Sequence, residues 1–298
     1  MNLSNNLNET LQAVPWPVAC AVVAVFGAII GSFLNVVIHR LPREQSIVFP
    51  NSRCPSCETA IKAYDNIPIL SWLILRGRCR SCGAPISARY PAVELLTALL
   101  FAAVFWRDGL SYALPFDLIF ATMLLALIFI DAEHMLLPNA ITYPGFILAI
   151  LARLTLPFLM DAPYFDDLSP ALLGALAGWP LWAVSLVGAA LGALAGGGTL
   201  WFIGVVWEKL RGVEAMGLGD VKMMFMVGAF LGWRLTLLTL FLAVISGSLT
   251  GVGLMLKSRE RNLQMQVPFG IFLGVGAILS LLVGKQLIAW YVLHFIPK

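Results

Sequence analysis

Two cysteine pairs and two aspartates are the residues of this sequence whose types and spacing suit chemistry. Cys54-Pro55-Ser56-Cys57 and Cys79-Arg80-Ser81-Cys82 are C-x-x-C motifs with 21 residues between them. Two such pairs supply four thiolates, the donor set of a tetrahedral Zn2+ site. The interval lies just beyond the ~15–20 residues of the usual zinc-ribbon template. Two disulfides or four free thiols are the alternatives, and a cytoplasmic setting disfavours the disulfides. Four thiolates leave the metal no open position, so its role would be structural. Cys20, inside the first apolar run, reads as a small buried hydrophobe.

The aspartates stand at the edges of apolar runs. Asp131 ends Leu124 to Ile130, and Gly217-Leu218-Gly219-Asp220, followed by Lys222, opens another run. A charge at membrane depth is expensive and calls for a function or a partner. Two carboxylates held close cannot both ionise readily, so they share a proton. One can then act as base on a water while the other polarises or protonates an amide, the pair titrating as a unit. Gly217 and Gly219 would let the backbone approach a substrate strand and adopt positive φ. Taken singly, each aspartate also has a structural reading: Asp220 as a helix cap, Asp131 as a solvated helix end. They lie 89 positions apart, so only the fold can join them. Glu133 and His134 read as loop residues beside Asp131. The three histidines (His39, His134, His294) form no H-E-x-x-H, which disfavours a metallopeptidase.

The elements that must position these groups are membrane helices. The chain is 60% hydrophobic and 12% charged, against about 25% charged for a soluble domain. Mean hydropathy is +0.88. Uncharged runs approaching the ~20 residues of a membrane span are Val18 to Ile38, Met135 to Ala152, Leu168 to Trp207, Leu235 to Leu256 and Val267 to Gly284. Glu94 to Trp106, Phe116 to Ile130 and Met223 to Trp233 are shorter candidates, giving eight spans. The forty uncharged residues of Leu168 to Trp207 are read as one span, about Ser185 to Trp207. An interfacial or re-entrant stretch broken at Trp179-Pro180 precedes it. Its glycines (188, 192, 196, 197, 198) suit close helix contacts. No fixed-period repeat is evident.

Charge sets the orientation. The first run is too long for a cleaved signal and lacks a basic flank before it; His39 and Arg40 follow it instead. Positive charge collects on the cytoplasmic side, which places the N-terminus outside. Eight basic residues between positions 40 and 89 then face inward, with Lys209, Arg211, Lys222, Lys257, Arg259 and Arg261. Asp161, Asp166 and Asp167 face outward, and so does the C-terminus. The basic block suits anionic lipid headgroups. Nucleic-acid binding is disfavoured, because no reader motif accompanies the charge.

Segments along nearly the whole chain, in order, resemble the bifunctional type IV prepilin leader peptidase and N-methyltransferase family. They are Gly31-Ser32-Phe33-Leu34-Asn35 running to Pro42, the cysteine block through Asn66-Ile67-Pro68 and Ser71-Trp72, Arg89-Tyr90-Pro91-Ala92-Val93-Glu94-Leu95, Ile130 to Pro138, Met216-Gly217-Leu218-Gly219-Asp220-Val221-Lys222, and Pro268-Phe269-Gly270. The resemblance implies an intramembrane aspartyl protease of the Gly-x-Gly-Asp type, with Asp131 and Asp220 as the catalytic pair. It implies prepilin and pseudopilin substrates in the bacterial inner membrane, cut after a Gly at the cytoplasmic face. The new N-terminal amine would then be methylated with S-adenosylmethionine. Cys54, Cys57, Cys79 and Cys82 match the cysteines linked to the methyltransferase half. Three departures stand out. Asn139 occupies a position where the family usually has Asp, which favours Asp131. The stretch from Pro42 to Cys54 is short, and 158–180 looks like added sequence. Glu94, an ionisable group at the start of a span, is a candidate for orienting an amine or the cofactor, or equally a helix cap.

The expected architecture is an all-α polytopic membrane protein of about eight transmembrane helices, with a small zinc-bound cytoplasmic domain between helices 1 and 2. Residues 1–38 form the outward N-terminus and first helix, 39–93 the tetra-cysteine methyltransferase half, and 94–298 the peptidase. A multi-span transporter or assembly scaffold with a zinc-bound platform is the alternative in another class. Its inverted-repeat signature is absent from the sequence. A peptidase-only member is the third reading.

Overall fold

The computed structural model describes residues 15–160, 174–212, 217–257 and 268–295. The N-terminal segment, the acidic stretch with Asp161, Asp166 and Asp167, Met216, and Arg259 with Arg261 lie outside the described residues. Two compact units divide the chain at 122/123. Among the described residues every long element is helical, and extended pairing is limited to two isolated bridges.

Nine helices are used here: α1 (Trp16–Arg40), α2 (Arg89–Asp108), α3 (Leu114–His134), α4 (Asn139–Met160), α5 (Leu181–Ala193), α6 (Thr199–Arg211), α7 (Leu218–Leu231), α8 (Trp233–Lys257) and α9 (Phe269–Phe295). A π-helical turn, Leu194–Gly198, joins α5 to α6. The two run on as one 31-residue apolar helix, Leu181–Arg211. The one-span reading of this region therefore holds. Seven helices are long and apolar enough to cross a membrane. The eighth expected span is present as α7, but it has only 14 residues. At 1.5 Å per residue that is about 21 Å, short of the ~30 Å hydrocarbon layer.

In the first unit α1 and α2 pack antiparallel at backbone distance. A Cβ on Gly27 would lie 2.8 Å from Phe101 Cβ, and one on Gly31 would lie 2.7 Å from Glu94 Cα. Gly27 and Gly31 form a G-x-x-x-G step, the small-residue pattern that lets membrane helices touch. One turn on, Asn35 Nδ2 donates to the Tyr90 carbonyl at 3.0 Å.

The segment between these helices has almost no interior. From residue 41 to 90 only Cys54 and Gly77 are buried. So small a block cannot form an apolar core. Two matching knuckles organise it instead. Arg53 bridges to Ala60 and Arg78 to Pro85. Cys54 N–H donates to Thr59 O, and Cys79 N–H donates to Ala84 O. The residue after each second cysteine takes positive φ: Glu58 at 54° and Gly83 at 72°. Every equivalence is offset by 25 positions, and Arg-Cys-x-Ser-Cys-x-x-x-Ile recurs at 53–61 and 78–86. This is a local duplication within the cysteine segment, not a fixed-period repeat of the chain. Its two copies are too few and too short to show as a chain-wide period.

In the second unit α7 is the axis. Val221, Met223, Met224 and the run Met226 to Leu231 are buried. The helix is enclosed by α4, α5, the π turn, α8 and α9. Burial all round is why its sequence lacks a polar face. Backbone meets backbone where a Cβ on Gly192 would collide with the Gly228 carbonyl, and one on Gly228 with the Gly192 carbonyl. In the π turn a Cβ on Gly196 would lie 2.5 Å from Met224 O, and Gly197 faces the Phe225 ring. The expectation that these glycines serve close contact holds at 192, 196 and 197. Gly198 has only ordinary contacts. The far end of α7 is capped by Arg153 of α4, which is 1% exposed. It donates to the carbonyls of Ala229 at 3.2 Å and Phe230 at 3.3 Å. A guanidinium at a helix C-terminus complements the dipole and satisfies carbonyls left open by the helix end.

Gly192→Ala is expected to destabilise the protein by about 1–3 kcal/mol through overpacking, read as a lower Tm in detergent. Gly204→Ala is the control: its Cβ would meet nothing within 4 Å, and Tm should stay level or rise.

Candidate active site and metal centre

Asp131 sits one turn from the end of α3 and is 5% exposed. Its Oδ2 accepts the Ile271 N–H at 3.1 Å. The Gly270 N–H donates to the same carboxylate. These amides belong to the first turn of α9, where backbone N–H groups lack intrahelical partners and favour an anion. The approach depends on Gly270, where a Cβ would stand 2.7 Å from Asp131 Oδ2. Asp131 is thus a fixed, buried carboxylate rather than a solvated helix end. The sequence Pro268-Phe269-Gly270 carries no local sign of this role, because its partner lies 139 positions away at Asp131.

Asp220 lies in the first turn of α7, half-buried, and Gly217 is the N-cap. It is therefore not the cap. Leu137 places it near Asp131. A Cβ on Gly219 would lie 3.1 Å from Leu137 Cβ, and one on Gly270 would lie 3.1 Å from Leu137 Cδ1. One buried leucine is thus wedged against the first turns of both α7 and α9. Asp131, on the amides beside Gly270, and Asp220, next to Gly219, are thus gathered around one leucine across 89 positions. Gly217 has φ −66°, and Gly219 is helical. Neither adopts the positive φ expected of the turn; close packing against Leu137 is what requires Gly219.

Lys222 is two residues beyond Asp220, a spacing at which helix side chains do not face each other. Its Nζ donates to Asn139 Oδ1 at 3.0 Å and lies 5.6 Å from the centre of the Tyr143 ring. The position at which the resemblance noted a departure thus holds the Lys222 ammonium. Glu133 and His134 complete the last turn of α3 and lie 3.9 Å apart.

In the first unit the four cysteine sulfurs converge. All four Sγ atoms lie within 4.8 Å of one another, and Cys54 and Cys82 are 3.9 Å apart. A tetrahedral site with ~2.3 Å metal–sulfur bonds has edges of about 3.8 Å. The cluster could therefore hold a metal ion, and the four thiols are free rather than paired as disulfides. Thr59 donates to Cys57 from its hydroxyl and backbone N–H and lowers the thiol to about 6. The N–H groups of Cys82 and Ser81 lower Cys79 likewise. At Cys82 the Ala84 N–H also favours the thiolate, but the three neighbouring thiols outweigh it and push the group up to about 11. These opposed shifts describe four sulfurs too close to ionise without a cation. Around the knuckles, Arg80 and Asp65 form a bidentate pair at 2.6–3.1 Å, and Trp72 Nε1 donates to Ile86 O at 3.0 Å.

Glu94 is 8% exposed. It lies beyond the first turn of α2 and so does not cap that helix. Its Oε2 accepts the Ile69 N–H at 2.7 Å, and Ser32 of α1 hydrogen-bonds the same carboxylate.

The chain resembles known proteins along most of its length. Residues 25–108 match the bacterial peptidase A24 N-terminal domain. Residues 118–252 match the type IV leader peptidase family. A prepilin leader peptidase/N-methyltransferase of Aeromonas hydrophila is 38% identical, the match covering 97% of this chain and 99% of that one. The protein of the same name from Myxococcus xanthus (strain DK1622) is 43% identical over 81% of this chain and 65% of its own. Another, from Pseudomonas aeruginosa, is 34% identical over 90% and 91%. No solved structure matches.

Elemental analysis of the purified protein should return about one metal ion per chain, as four thiolates on one tetrahedral ion require. Cys54→Ser should lower that content. Two disulfides with no metal, found by mass spectrometry, would contradict the geometry.

Proposed function

The chain belongs to the type IV leader peptidase family, and on that premise we propose how its residues carry the activity. It is a multi-pass membrane peptidase with methyltransferase activity: it cleaves the leader from type IV prepilins and N-methylates the product. The observation that carries the peptidase reading is the meeting of Asp131 and Asp220 around Leu137, with Asp131 held on the first amides of α9.

The pair activates a water. One carboxylate takes its proton as the oxygen attacks the scissile carbonyl carbon. The other, carrying the shared proton, hydrogen-bonds the carbonyl oxygen and later protonates the leaving amine. Positioning is supplied by the protein in advance: the α9 amides hold Asp131, and Leu137 fixes the start of α7 against it. Gly217, exposed at the start of α7, leaves the backbone beside Asp220 open to an extended substrate. Lys222, held by Asn139 and Tyr143, marks the edge of that approach. Pseudopilins of secretion systems are the second substrate class, and cleavage follows a Gly.

Cleavage occurs at the cytoplasmic face. Arg211 and Lys257 end α6 and α8, and positive charge belongs inside. The chain between them must then cross twice, once as α8 and once as the short α7. Protein on all sides of α7 supplies what lipid would not. Eight passes leave both termini outside and the cysteine segment in the cytoplasm.

Residues 39–93, with the ends of α1 and α2 that flank them, carry the methyltransferase half, and the remainder of 94–298 carries the peptidase. The metal of the four cysteines is zinc, in a structural role, because thiolate donors at tetrahedral spacing suit it. S-adenosylmethionine is the methyl donor, supplying an electrophilic methyl group to the freed amine.

A synthetic prepilin with a mass readout tests both activities. Asp131→Ala and Asp220→Ala should each abolish cleavage; full activity in both would refute the assignment. Asn139→Ala should cost less than about tenfold, the effect of losing one hydrogen bond of ~1 kcal/mol. An unmethylated product with S-adenosylmethionine supplied would mark a peptidase-only enzyme. Gly270→Ala should reduce cleavage about a hundredfold by displacing the Asp131 carboxylate, and should lower Tm as well, because its Cβ would also press on Leu137.

A further inference from the structure

Glu94 is a buried carboxylate between two membrane helices whose hydrogen-bond donors are neutral. Ile69 N–H donates at 2.7 Å and Ser32 supplies its hydroxyl. Among the described residues no Lys, Arg or His pairs with it. Burying a carboxylate without a cation is costly. One turn along α1 from Ser32, Asn35 is 4% exposed. Its Nδ2 donates to Tyr90 O, one turn before Glu94, while its Oδ1 is buried without a partner. The α1–α2 interface therefore concentrates acceptors and is short of donors.

The backbone above it is strained. Ile69 has φ 62° and ψ −52°, and Leu70 N–H donates to Pro68 O at 2.6 Å. This is a γ-turn with positive φ, a rare and strained conformation in which a β-branched residue is an outlier. Strain of this kind persists where surrounding contacts impose it, often at functional sites. The residue at the centre of this turn is the one whose N–H donates to Glu94. The cysteine segment thus reaches down to the carboxylate through one hydrogen bond that a better donor could replace.

We propose that Ser32, Asn35 and Glu94 form the binding site for the N-terminal ammonium of the cleaved pilin, with Glu94 as the base that deprotonates it for methylation. The inference rests on the methyltransferase reading above. An ammonium offers three N–H donors and no acceptor, matching the carboxylate, the orphaned Asn35 oxygen and the serine oxygen. A sulfonium has no N–H to give. The amino-acid end of S-adenosylmethionine carries an ammonium too, but beside its own carboxylate, which this cluster of acceptors would repel. A cleaved pilin presents its amine on an apolar chain, which suits a site between two membrane helices. Glu94 takes one proton from the ammonium. The freed nitrogen lone pair forms the N–C bond to the methyl carbon as the C–S bond breaks, its electron pair staying on sulfur. The product is a secondary ammonium, and Glu94 then releases its proton to water.

The test uses the full-length protein in detergent and two synthetic peptides of the mature pilin N-terminus, one with a free amine and one lacking the amino group. Without methyl donor, the unmodified protein should bind the amine peptide at least about tenfold more tightly, as expected of a charge-assisted contact of 1.5–3 kcal/mol. Glu94→Gln should lose that preference while keeping leader cleavage and metal content. With S-adenosylmethionine, its methylation should fall by about a hundredfold or more, the loss appearing in the peptide KM and kcat and not in the donor KM. Glu94→Asp should retain part of the binding preference and of the methylation. Retention of the preference or of wild-type methylation by Glu94→Gln overturns the proposal, as does a loss confined to the donor KM. Loss of cleavage and metal in both Glu94 variants also overturns it, by marking the residue as structural. If the unmodified protein binds the amine selectively but never methylates it, the site stands and the methyltransferase reading fails.

Discussion

The Asp131 carboxylate resting on the first amides of α9 is the contact from which the second unit takes its form. In a membrane neither a carboxylate nor an open helix terminus can rely on water, so each must find a partner in the protein. Here they satisfy one another across 140 positions. The contact requires that residue 270 carry no side chain. It also fixes the start of α9 beside Leu137, and Leu137 in turn seats the first turn of α7. Asp220 reaches its place through that chain of contacts.

The helix carrying Asp220 is short, apolar on every face and enclosed. Glycine-to-glycine contact with α5, the π turn against Met224 and Phe225, and the buried Arg153 at its C-terminal carbonyls all act on α7. A helix held at both ends and along its length has little freedom to shift. That rigidity is what an acid–base pair needs, since its geometry must be set before the substrate arrives.

The first unit solves a different problem. Its polar segment buries one cysteine and one glycine and has no apolar interior. Two knuckles of the same design present their sulfurs to a common centre, where a metal replaces the missing core. The same segment is tethered to the membrane helices at Glu94 by a strained turn. Structural staple and buried carboxylate are thus linked through a few residues of chain.

Much of this was legible in the residues. Composition required membrane helices, and uncharged runs located them, although α4 and α9 continue past Arg153 and Lys285, where the runs stop. The four cysteines announced a metal centre by type and spacing, because ligand chemistry is local. The G-x-x-x-G step at Gly27 and Gly31 and the paired knuckle sequence are local patterns of the same kind. The tertiary structure alone decided the rest. Nothing near position 220 indicates that Gly219 answers to Leu137, or that Gly270 makes room for Asp131, since contacts between distant residues leave no periodic trace in either segment. Nor does the composition of Met223 to Trp233 distinguish a lipid-facing span from a short helix wrapped in protein. Both are uniformly apolar, and only packing tells them apart. The sequence by itself determined which groups could do chemistry and what solvent surrounds them. The fold decided which groups meet, because a carboxylate's partner in hydrocarbon is whatever amide or hydroxyl the packing delivers to it.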